Sequence, residues 1–283
     1  MANPLHRLSL NIAARSLWDG RALLAAAFLI AFAVIVPAPY VITIVKSFAT
    51  IWRDTWWPEK TGLQAYEFAL ILTDVPAVLG NSVIIALLAT AISTAIAIPT
   101  AWALAKRPVP FRLIVITMLL LPRLIPPLAF AVGTARLFYD LNLIDTHIGV
   151  ALAHVTVLAP YSILLITAAF AGIDDRLLEA GRVCGAKGLQ LFFYIILPLA
   201  APGILASMVF TFAFSYNELE LSMLTYGPDT QTLTVQAFNN IAEGFLDVAA
   251  AVSVMLSIPA ILILLMLQHW IRPERLTGGF KGS

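Results

Sequence analysis

Charged residues are scarce in this chain of 283 residues. They make up 12% of the sequence, whereas hydrophobic residues make up 60%; an average soluble domain has about 25% charged residues. The mean hydropathy of +0.91 indicates that lipid surrounds most of the chain. The net charge of +1 argues against a nucleic-acid partner, which would require a concentrated basic surface. We therefore predict a protein of the lipid bilayer.

The sequence also lacks the residues that several kinds of catalytic and metal site require. Its one cysteine, Cys184, can form neither an internal disulfide nor a cysteine-based metal site. It has no G-x-x-x-x-G-K-[ST] loop to hold phosphates, no H-E-x-x-H zinc pair and no serine-nucleophile motif. We predict no catalytic residue, no metal and no cofactor bound by this chain, and no unaided ATP hydrolysis.

Long apolar stretches, by contrast, run through the whole sequence. A helix needs about 20 apolar residues to cross the hydrocarbon core of a bilayer. The stretches that meet this length are 22–45, 78–105, 113–138, 148–170, 191–215 and 248–270. The sequence therefore predicts an all-α polytopic membrane protein with six transmembrane helices. Its domains would be an N-terminal segment 1–21, a transmembrane domain 22–270 and a tail 271–283.

Prolines interrupt two of these stretches. Pro37 and Pro39 should kink or end the first helix near the far side of the membrane. The third stretch contains three prolines within 121–127, where the missing amide donors cannot be replaced by lipid. We expect that break to be buried in protein or to face water.

The segments that connect the stretches differ in charge. One alternating set holds nine lysines and arginines, and the other holds three and is net acidic. The basic set comprises 1–21, 106–112 and 271–283, and the acidic set comprises 46–74, 139–147 and 216–247. Because positive charge marks the cytoplasmic side, both termini and segment 171–192 are predicted to be cytoplasmic.

Segment 171–192 carries the signals of a short helix. Asp174 and Asp175 suit a helix N-terminus, and Arg176 to Cys184 can form two to three turns. Gly185 can then supply a left-handed ending, and Gly188 allows the chain to reverse. The simpler alternative is a solvated amphipathic loop.

Three polar side chains inside the apolar stretches are candidates for a function. A charge such as Arg123 is costly in a membrane unless it faces a cavity or a partner, so it lines a path, pairs between subunits, or ties up the free carbonyls of a helix end. His147 and His154 are seven residues apart. We interpret them as an interfacial and a packed histidine; the alternative is a membrane-embedded enzyme that uses either one.

The residues of segment 171–198 form a spaced motif. The pattern is E-A-x-x-x-x-G-A followed by I-x-L-P, and nine residues separate the glycine, Gly185, from the start of I-x-L-P at Ile195. The matching residues are Glu179, Ala180, Gly185, Ala186, Ile195, Leu197 and Pro198, and the third position, usually alanine, is Gly181. This motif resembles the "EAA" signature of permease subunits of ABC importers.

The resemblance implies a mechanism and a set of partners. In that family the motif helix is a coupling helix that inserts into a groove of a separate ATPase. The expected partners are therefore a second permease subunit in a heterodimer, two ATP-binding subunits that use ATP-Mg, and an extracytoplasmic solute-binding protein. The expected location is the plasma membrane of a bacterium or archaeon.

Other blocks are similar to particular permeases. Tyr216-Asn217-Glu218, Thr232 to Val235 and Leu276 to Gly282 are similar to carbohydrate permeases of the maltose and trehalose type, in the smaller six-span subunit. Gly227-Pro228-Asp229 is similar to polyamine permeases, which remain the alternative.

The same resemblance makes Arg123, Asn217 and Glu218 candidates for lining the transport path. An ion-driven secondary transporter would need carboxylates inside the membrane, and the six stretches contain none.

Overall fold

The computed structural model describes residues 20–71 and 73–270, which are mostly helical. The helices are α1 (Gly20–Ile35), α2 (Ala38–Ser47), α3 (Gln64–Ile71), α4 (Val75–Lys106), α5 (Arg112–Leu124), α6 (Pro127–Asp140), α7 (His147–Ala171), α8 (Asp175–Val183), α9 (Gly188–Leu191), α10 (Leu197–Tyr216), α11 (Glu220–Thr225), α12 (Leu233–Ala242) and α13 (Leu246–Trp270). A π-helical turn, Phe192–Ile196, joins α9 to α10. Segment 1–19 and the tail 271–283, with its predicted signature block, lie outside the described residues.

Within the described residues, four helical segments are long and apolar enough to cross a membrane. They are Ala22–Ser47, Val75–Lys106, His147–Ala171 and Gly188–Tyr216. The pair α5 and α6 would make a fifth if it is a single span, and α13 contains a shorter apolar helix, Leu246–Leu262. The prediction of a helical, multi-span membrane protein is confirmed, whereas the number six stays a prediction.

The first apolar stretch breaks where its prolines are. Helix α1 ends at Ile35, and α2 begins at Ala38 immediately after Pro37. The ring of Pro37 fixes its own backbone and offers no amide donor, so the helix restarts there. This agrees with the kink predicted from the sequence.

The third apolar stretch, 113–138, is broken at the prolines where the sequence predicts a break. Helix α5 ends at Leu124, α6 begins at Pro127, and the two axes differ in direction by 95°. Ile125 is extended, as a residue before proline prefers to be. A bend of this size makes the pair either one broken span or a re-entrant loop, and the single chain leaves the bend exposed.

Three helices, α4, α7 and α10, form the centre of the molecule. Their shared apolar core contains Ala97, Ala101, Leu104, Ile163, Ile166, Phe170, Ala200 and Ile204. Small residues bring the helices close together, because a Cβ atom placed on Gly203 of α10 would overlap the Cβ of Ala169 in α7. Close approach through small residues is the usual way that helices associate in lipid.

One feature departs from the all-α prediction. Ala49–Ile51 and Lys60–Thr61 pair as a short antiparallel hairpin with an irregular register. Its connecting loop exposes Trp56 and Trp57, at the outer side assigned by the charge pattern. Strands of three and two residues are too short to show an alternating pattern in the sequence.

The close contact at Gly203 can be tested by adding one methyl group. Gly203→Ala should lower the melting temperature of the detergent-purified chain, because overpacking costs about 1–3 kcal/mol and nearby backbone would have to shift. Gly80→Ala in α4 is the matched control, since a Cβ there meets nothing within 4 Å. An equal effect of the two substitutions would show that the α7–α10 contact is not tightly packed.

Candidate functional site

Helix α8 begins where the sequence predicts. The Asp174 side chain caps it by accepting a hydrogen bond from the backbone N–H of Arg176 at 2.9 Å. Asp175 adds a negative charge in the first turn, where the helix dipole favours it. The predicted helix from Arg176 to Cys184 is therefore observed as Asp175–Val183.

The end of α8 depends on Gly185. Its φ of +87° is in the left-handed region that side chains disfavour. The N–H of Gly185 donates to the Arg182 carbonyl at 2.9 Å, and that of Ala186 donates to the Gly181 carbonyl at 3.0 Å. This pair of bonds is the Schellman ending, which satisfies carbonyls that the helix leaves free.

Only one narrow face of α8 is buried. Leu178 and Gly181 are buried, whereas Glu179, Ala180 and Arg182 are exposed. Leu178 belongs to the same apolar core as α4, α7 and α10. The motif residues Glu179 and Ala180 thus lie on the exposed part of the helix surface.

Gly181 has a packing role that the sequence did not indicate. A Cβ at this position would lie 2.5 Å from Cδ1 of Ile195 and 2.7 Å from Cδ1 of Leu191. The alanine usual at this position would therefore require those side chains to move. A glycine inside a helix costs up to about 1 kcal/mol relative to alanine, but here it permits α8 to lie directly against the segment that leads into α10.

The second half of the motif lies under α8. Pro198 lies in the first turn of α10 and has no N–H to donate. The π-helical turn precedes it, and the N–H of Leu197 donates a hydrogen bond to the carbonyl of Phe192 at the start of that turn. This turn carries Ile195 towards Gly181. The two parts of the spaced motif are therefore in contact in the fold.

A buried lysine joins α8 to α4. Lys106 Nζ lies 2.7 Å from Asp175 Oδ1 and donates to the Ile173 carbonyl at 2.6 Å. Beside this contact lies a cavity of about 260 Å³. Its lining consists of Trp102, Lys106, Arg107, Asp175, Leu178, Glu179 and Arg182. The sequence indicated the two charges, but not that residues 69 positions apart would pair.

Arg123, the charge inside the third stretch, contacts α7. Its Nε donates to the Tyr161 hydroxyl at 3.1 Å, and its guanidinium carbon lies 5.6 Å from the centre of the Tyr161 ring. Tyr161 in turn packs against Phe210 of α10. Arg123 therefore makes a hydrogen bond and a cation–π contact with Tyr161 instead of bonding to the free carbonyls at the end of its own helix.

Glu218 lies in the segment that follows α10. Its pKa is raised to about 7, chiefly by burial and also by a hydrogen bond with the Glu220 side chain. The Leu221 N–H and the charge of Arg123 act in the opposite direction. The fold thus brings Arg123 and Glu218, two predicted path residues, close enough for their charges to interact.

The side-chain amide of Asn217, the third predicted path residue, makes a hydrogen bond to the backbone of α10. Its Nδ2 donates to the Ala213 carbonyl at 2.8 Å, one turn earlier in α10. The residue is exposed in the single chain. Phe214, in the last turn of α10, packs against Phe210 in a tilted arrangement with ring centres 4.3 Å apart, so the exposed surface here is aromatic.

Both histidine side chains make hydrogen bonds to residues on other helices. His154 is completely buried, with Nδ1 2.8 Å from Ser215 Oγ and Nε2 2.9 Å from Ser222 Oγ. His147 Nε2 lies 2.8 Å from Asn81 Oδ1. Among the residues that the structure describes, no group of three or more His, Cys, Asp or Glu side chains could hold a metal ion.

The Gly-Pro-Asp run, Gly227 to Asp229, is fixed by contacts with Asp145 and Asn81. A Cβ on Gly227 would overlap the Asp145 side chain. Asp145 Oδ1 accepts hydrogen bonds from Asp229 N–H at 3.2 Å and from the Thr230 hydroxyl at 2.9 Å. The Nδ2 of Asn81 donates hydrogen bonds to the carbonyls of Asp229 and Gln231. The glycine of this run is thus explained by packing alone.

Comparison with known proteins gives the family. Residues 77–276 match the model of the family described as "Binding-protein-dependent transport system inner membrane component". A sulfoquinovosyl glycerol transport system permease protein of Agrobacterium fabrum is 24% identical over 82% of this chain and 83% of that protein. A trehalose transport system permease protein of Mycobacterium tuberculosis is 28% identical over 71% and 76%.

A polyamine relative is also found. A spermidine/putrescine transport system permease protein of Haemophilus influenzae is 28% identical over 65% of this chain and 72% of that protein. The two sugar-type relatives match more of this chain than it does.

Solved structures give the same fold. A chain of a bacterial ABC transporter that imports the acidic polysaccharide alginate superposes with a TM-score of 0.69 at 18% identity, over 96% of this chain and 99% of that one. The alginate transporter in complex with an alginate pentasaccharide-bound periplasmic protein also has a TM-score of 0.69, at 17% identity over 92% and 96%. Together with the family match over residues 77–276, this establishes that the chain belongs to the inner membrane components of binding-protein-dependent transport systems, the ABC importer permeases that its motif predicted.

Proposed function

We propose that this permease forms half of the path of an ATP-driven importer and is driven by a separate ATPase subunit through α8. The observation that carries the proposal is the exposure of α8. Of its nine residues only Leu178 and Gly181 are buried, and the apolar Val183 is 89% exposed. A short helix that is well capped and held at its base, yet exposes most of its surface, is suited to insertion into a partner.

The apolar surface continues beyond α8. Leu177, Leu189 and Tyr194 are also exposed around the same end of the chain. Unlike the apolar surface of the spans, this region lies beside charged side chains such as Glu179 and Arg182. A mixed apolar and charged patch fits a protein partner better than lipid. We assign it to the ATP-binding subunit, of which two copies would use ATP-Mg.

We further propose six spans with both termini in the cytoplasm. The proposal counts the α5–α6 pair and α13 as spans, together with the four long segments. The basic connecting segments support this orientation. The site at the end of α4 and α8 would then lie on the cytoplasmic side, and Asp145, the hairpin and α12 on the outer side, where a solute-binding protein delivers its load.

A companion permease would complete the path. The break between α5 and α6 and the side chain of Asn217 are exposed in the single chain. Backbone irregularities are stable in a membrane when they face protein or a water-filled cavity. We therefore place Arg123, Asn217 and Glu218 on the path, at the surface that faces a second, different permease subunit of a bacterial or archaeal plasma membrane.

The proposed solute is a sugar or a sugar derivative. The relatives named as sugar permeases support this class. The charges near the path agree, because a polyamine is best held by ionised carboxylates, whereas Glu218 lies beside the positive Arg123 and has its pKa raised by burial. Exposed aromatic rings such as Phe214 offer apolar faces that pack against sugar rings.

Removing the motif carboxylate should disconnect the ATPase. Glu179→Ala should lower uptake about tenfold or more, since loss of a buried interfacial charge pair costs at least 2 kcal/mol, while the chain still inserts in the membrane. Arg176→Ala, on the same helix but outside the motif, should retain uptake. Normal solute-stimulated ATPase activity in Glu179→Ala would contradict the proposal.

The ending of α8 offers a second test of the same role. Gly185→Leu places a side chain at φ +87°, a conformation that costs an L-residue about 1–2 kcal/mol. It should impair uptake and copurification of the ATPase subunit in parallel. Cys184→Ser, at the adjacent exposed position, should leave both unchanged; full activity of Gly185→Leu would be incompatible with a docking role for this turn.

The raised pKa of Glu218 predicts a pH-dependent stability. Because the folded chain keeps this carboxyl protonated up to about pH 7 and the unfolded chain only up to its ordinary value of 4.5, the free energy of unfolding should fall as pH rises through that window and level off above it. Glu218→Gln should flatten this fall in melting temperature. Glu243→Gln, at an exposed position, should not, and equal slopes in all three proteins would show that Glu218 is not buried.

The solute class can be measured on the partner. The solute-binding protein of this system should bind a disaccharide such as trehalose or maltose in calorimetric titration and should not bind spermidine. Uptake by the reconstituted transporter should follow the same order. Binding of spermidine alone would replace the sugar proposal by the polyamine one without affecting the assignment of α8.

A further inference from the structure

We infer that Lys106 is a positioning residue that fixes α8 to the inner end of α4, so that the two helices move as one body when a partner displaces α8. The inference rests on the proposed docking role of α8. It assigns to Lys106 a task that lies outside the EAA motif. The contacts that carry it join three parts of the chain at one nitrogen atom.

The geometry at Lys106 is specific. Its side chain is 10% exposed, and Nζ lies 2.7 Å from Asp175 Oδ1 in the first turn of α8. The same Nζ donates to the carbonyl of Ile173 at 2.6 Å, in the turn that connects α7 to α8. One ammonium group thus holds the end of α4, the end of the α7 segment and the start of α8.

The charges are placed where both helices favour them. Lys106 is in the last turn of α4, at the negative end of its dipole, and Asp175 is in the first turn of α8, at the positive end. The Asp175 side chain is 73% exposed, so the Coulomb energy of the pair alone is modest. The bond to Ile173 is the costly one to lose, because a carbonyl there would be left without a donor.

The other attachment of α8 is of a different kind. Leu178 packs in the apolar core with Leu104 and Phe170. Gly181 packs closely against Ile195 and Leu191. Apolar contacts are non-directional, so these two contacts hold α8 near the core without a directed bond to α4. The directed bonds of Lys106 fix the orientation of α8 relative to α4. Transmission of a movement requires this second contact.

The neighbouring residues supply matched controls. Arg107 is an exposed cation next in sequence, lines the same cavity, and has no ion pair within residues 20–71 and 73–270. Asp174, next to Asp175, caps α8 through the Arg176 N–H instead of pairing with Lys106. Single substitutions at these residues therefore distinguish a loss of charge anywhere in this region from the loss of the Lys106 contacts with Asp175 and Ile173.

The test measures distances between spin labels in the assembled transporter. Cys184, the single cysteine of the chain, is exposed at the end of α8 and takes one label. The second label is placed at Ala95→Cys on α4 or at Ile258→Cys on α13, both exposed in the chain. Electron–electron resonance is recorded in proteoliposomes with the companion subunits, before and after addition of ATP-Mg and vanadate.

In the otherwise native transporter the Cys184–Ile258 distance should change while the Cys184–Ala95 distance stays constant. In Lys106→Met the Cys184–Ala95 distance should shift or broaden by about 5 Å, one helical turn. Lys106→Arg should restore the constant distance, and Arg107→Met should behave as the parent.

A constant Cys184–Ala95 distance in Lys106→Met would overturn the role of Lys106 while leaving α8 as the docking helix. No change of either distance in the parent transporter would overturn the docking role of α8 itself, and with it the role of Lys106. The first failure appears in Lys106→Met and the second already in the parent transporter, so the two failures are distinguished.

Discussion

The constraint on which this structure depends is that lipid offers no hydrogen-bond partner to the backbone. Five of the helices in the described residues, α4, α5, α7, α10 and α13, contain an internal proline, each of which removes one amide donor. At Pro198 the chain adapts by a π-helical turn in which the amide of Leu197 reaches back five residues to Phe192. Helical continuity is kept there, and with it the contact between Ile195 and Gly181.

The same constraint explains why the α5–α6 break matters. Around Ile125 and Pro126 the helix is lost altogether, and the single chain leaves the backbone exposed. Such a break is stable in a membrane only against protein or water. Arg123 lies in the last turn of α5, just before the break, and contacts Tyr161 of α7. A charged side chain and a broken helix at one place support the proposed path surface, because both are costly where they face lipid.

Many polar side chains inside the core follow this rule as well, although within the described residues the single chain leaves buried polar atoms of Ser93, Thr94, Ser207, Tyr216 and Asn240 without a hydrogen-bond partner. Hydroxyl groups bond to carbonyls one turn earlier in their own helix, as Thr90 and Thr167 do, or to one another, as Ser162 and Thr211 do at 2.6 Å. His154 satisfies both ring nitrogens with Ser215 and Ser222, and so links α7 to the end of α10 and to α11. Its position in a closed network agrees with a packed histidine better than with a catalytic one.

Sequence reasoning succeeded where local signals decide the structure. The bounds of α8 follow from Asp174 and Gly185, because caps act within a few residues. It failed where the outcome depends on distant partners. The Lys106–Asp175 pair, the close fit at Gly181 and the 95° bend at Ile125 need knowledge of which helices meet. The hairpin at Ala49–Ile51 was missed for another reason, since its strands are too short to show a period.

These features together explain how a nine-residue helix could control a much longer bundle. The α8 helix is stiffened by caps at both ends, and it is seated on the core through Leu178 and Gly181. Because α4, α7 and α10 pack closely through small residues such as Gly203, displacement of α4 cannot be absorbed by local rearrangement of a dense interior. Under the proposed docking role of α8, a displacement that reaches α4 through Lys106 would therefore move the central helices together, and the break beside Arg123 would be the place where the chain can bend.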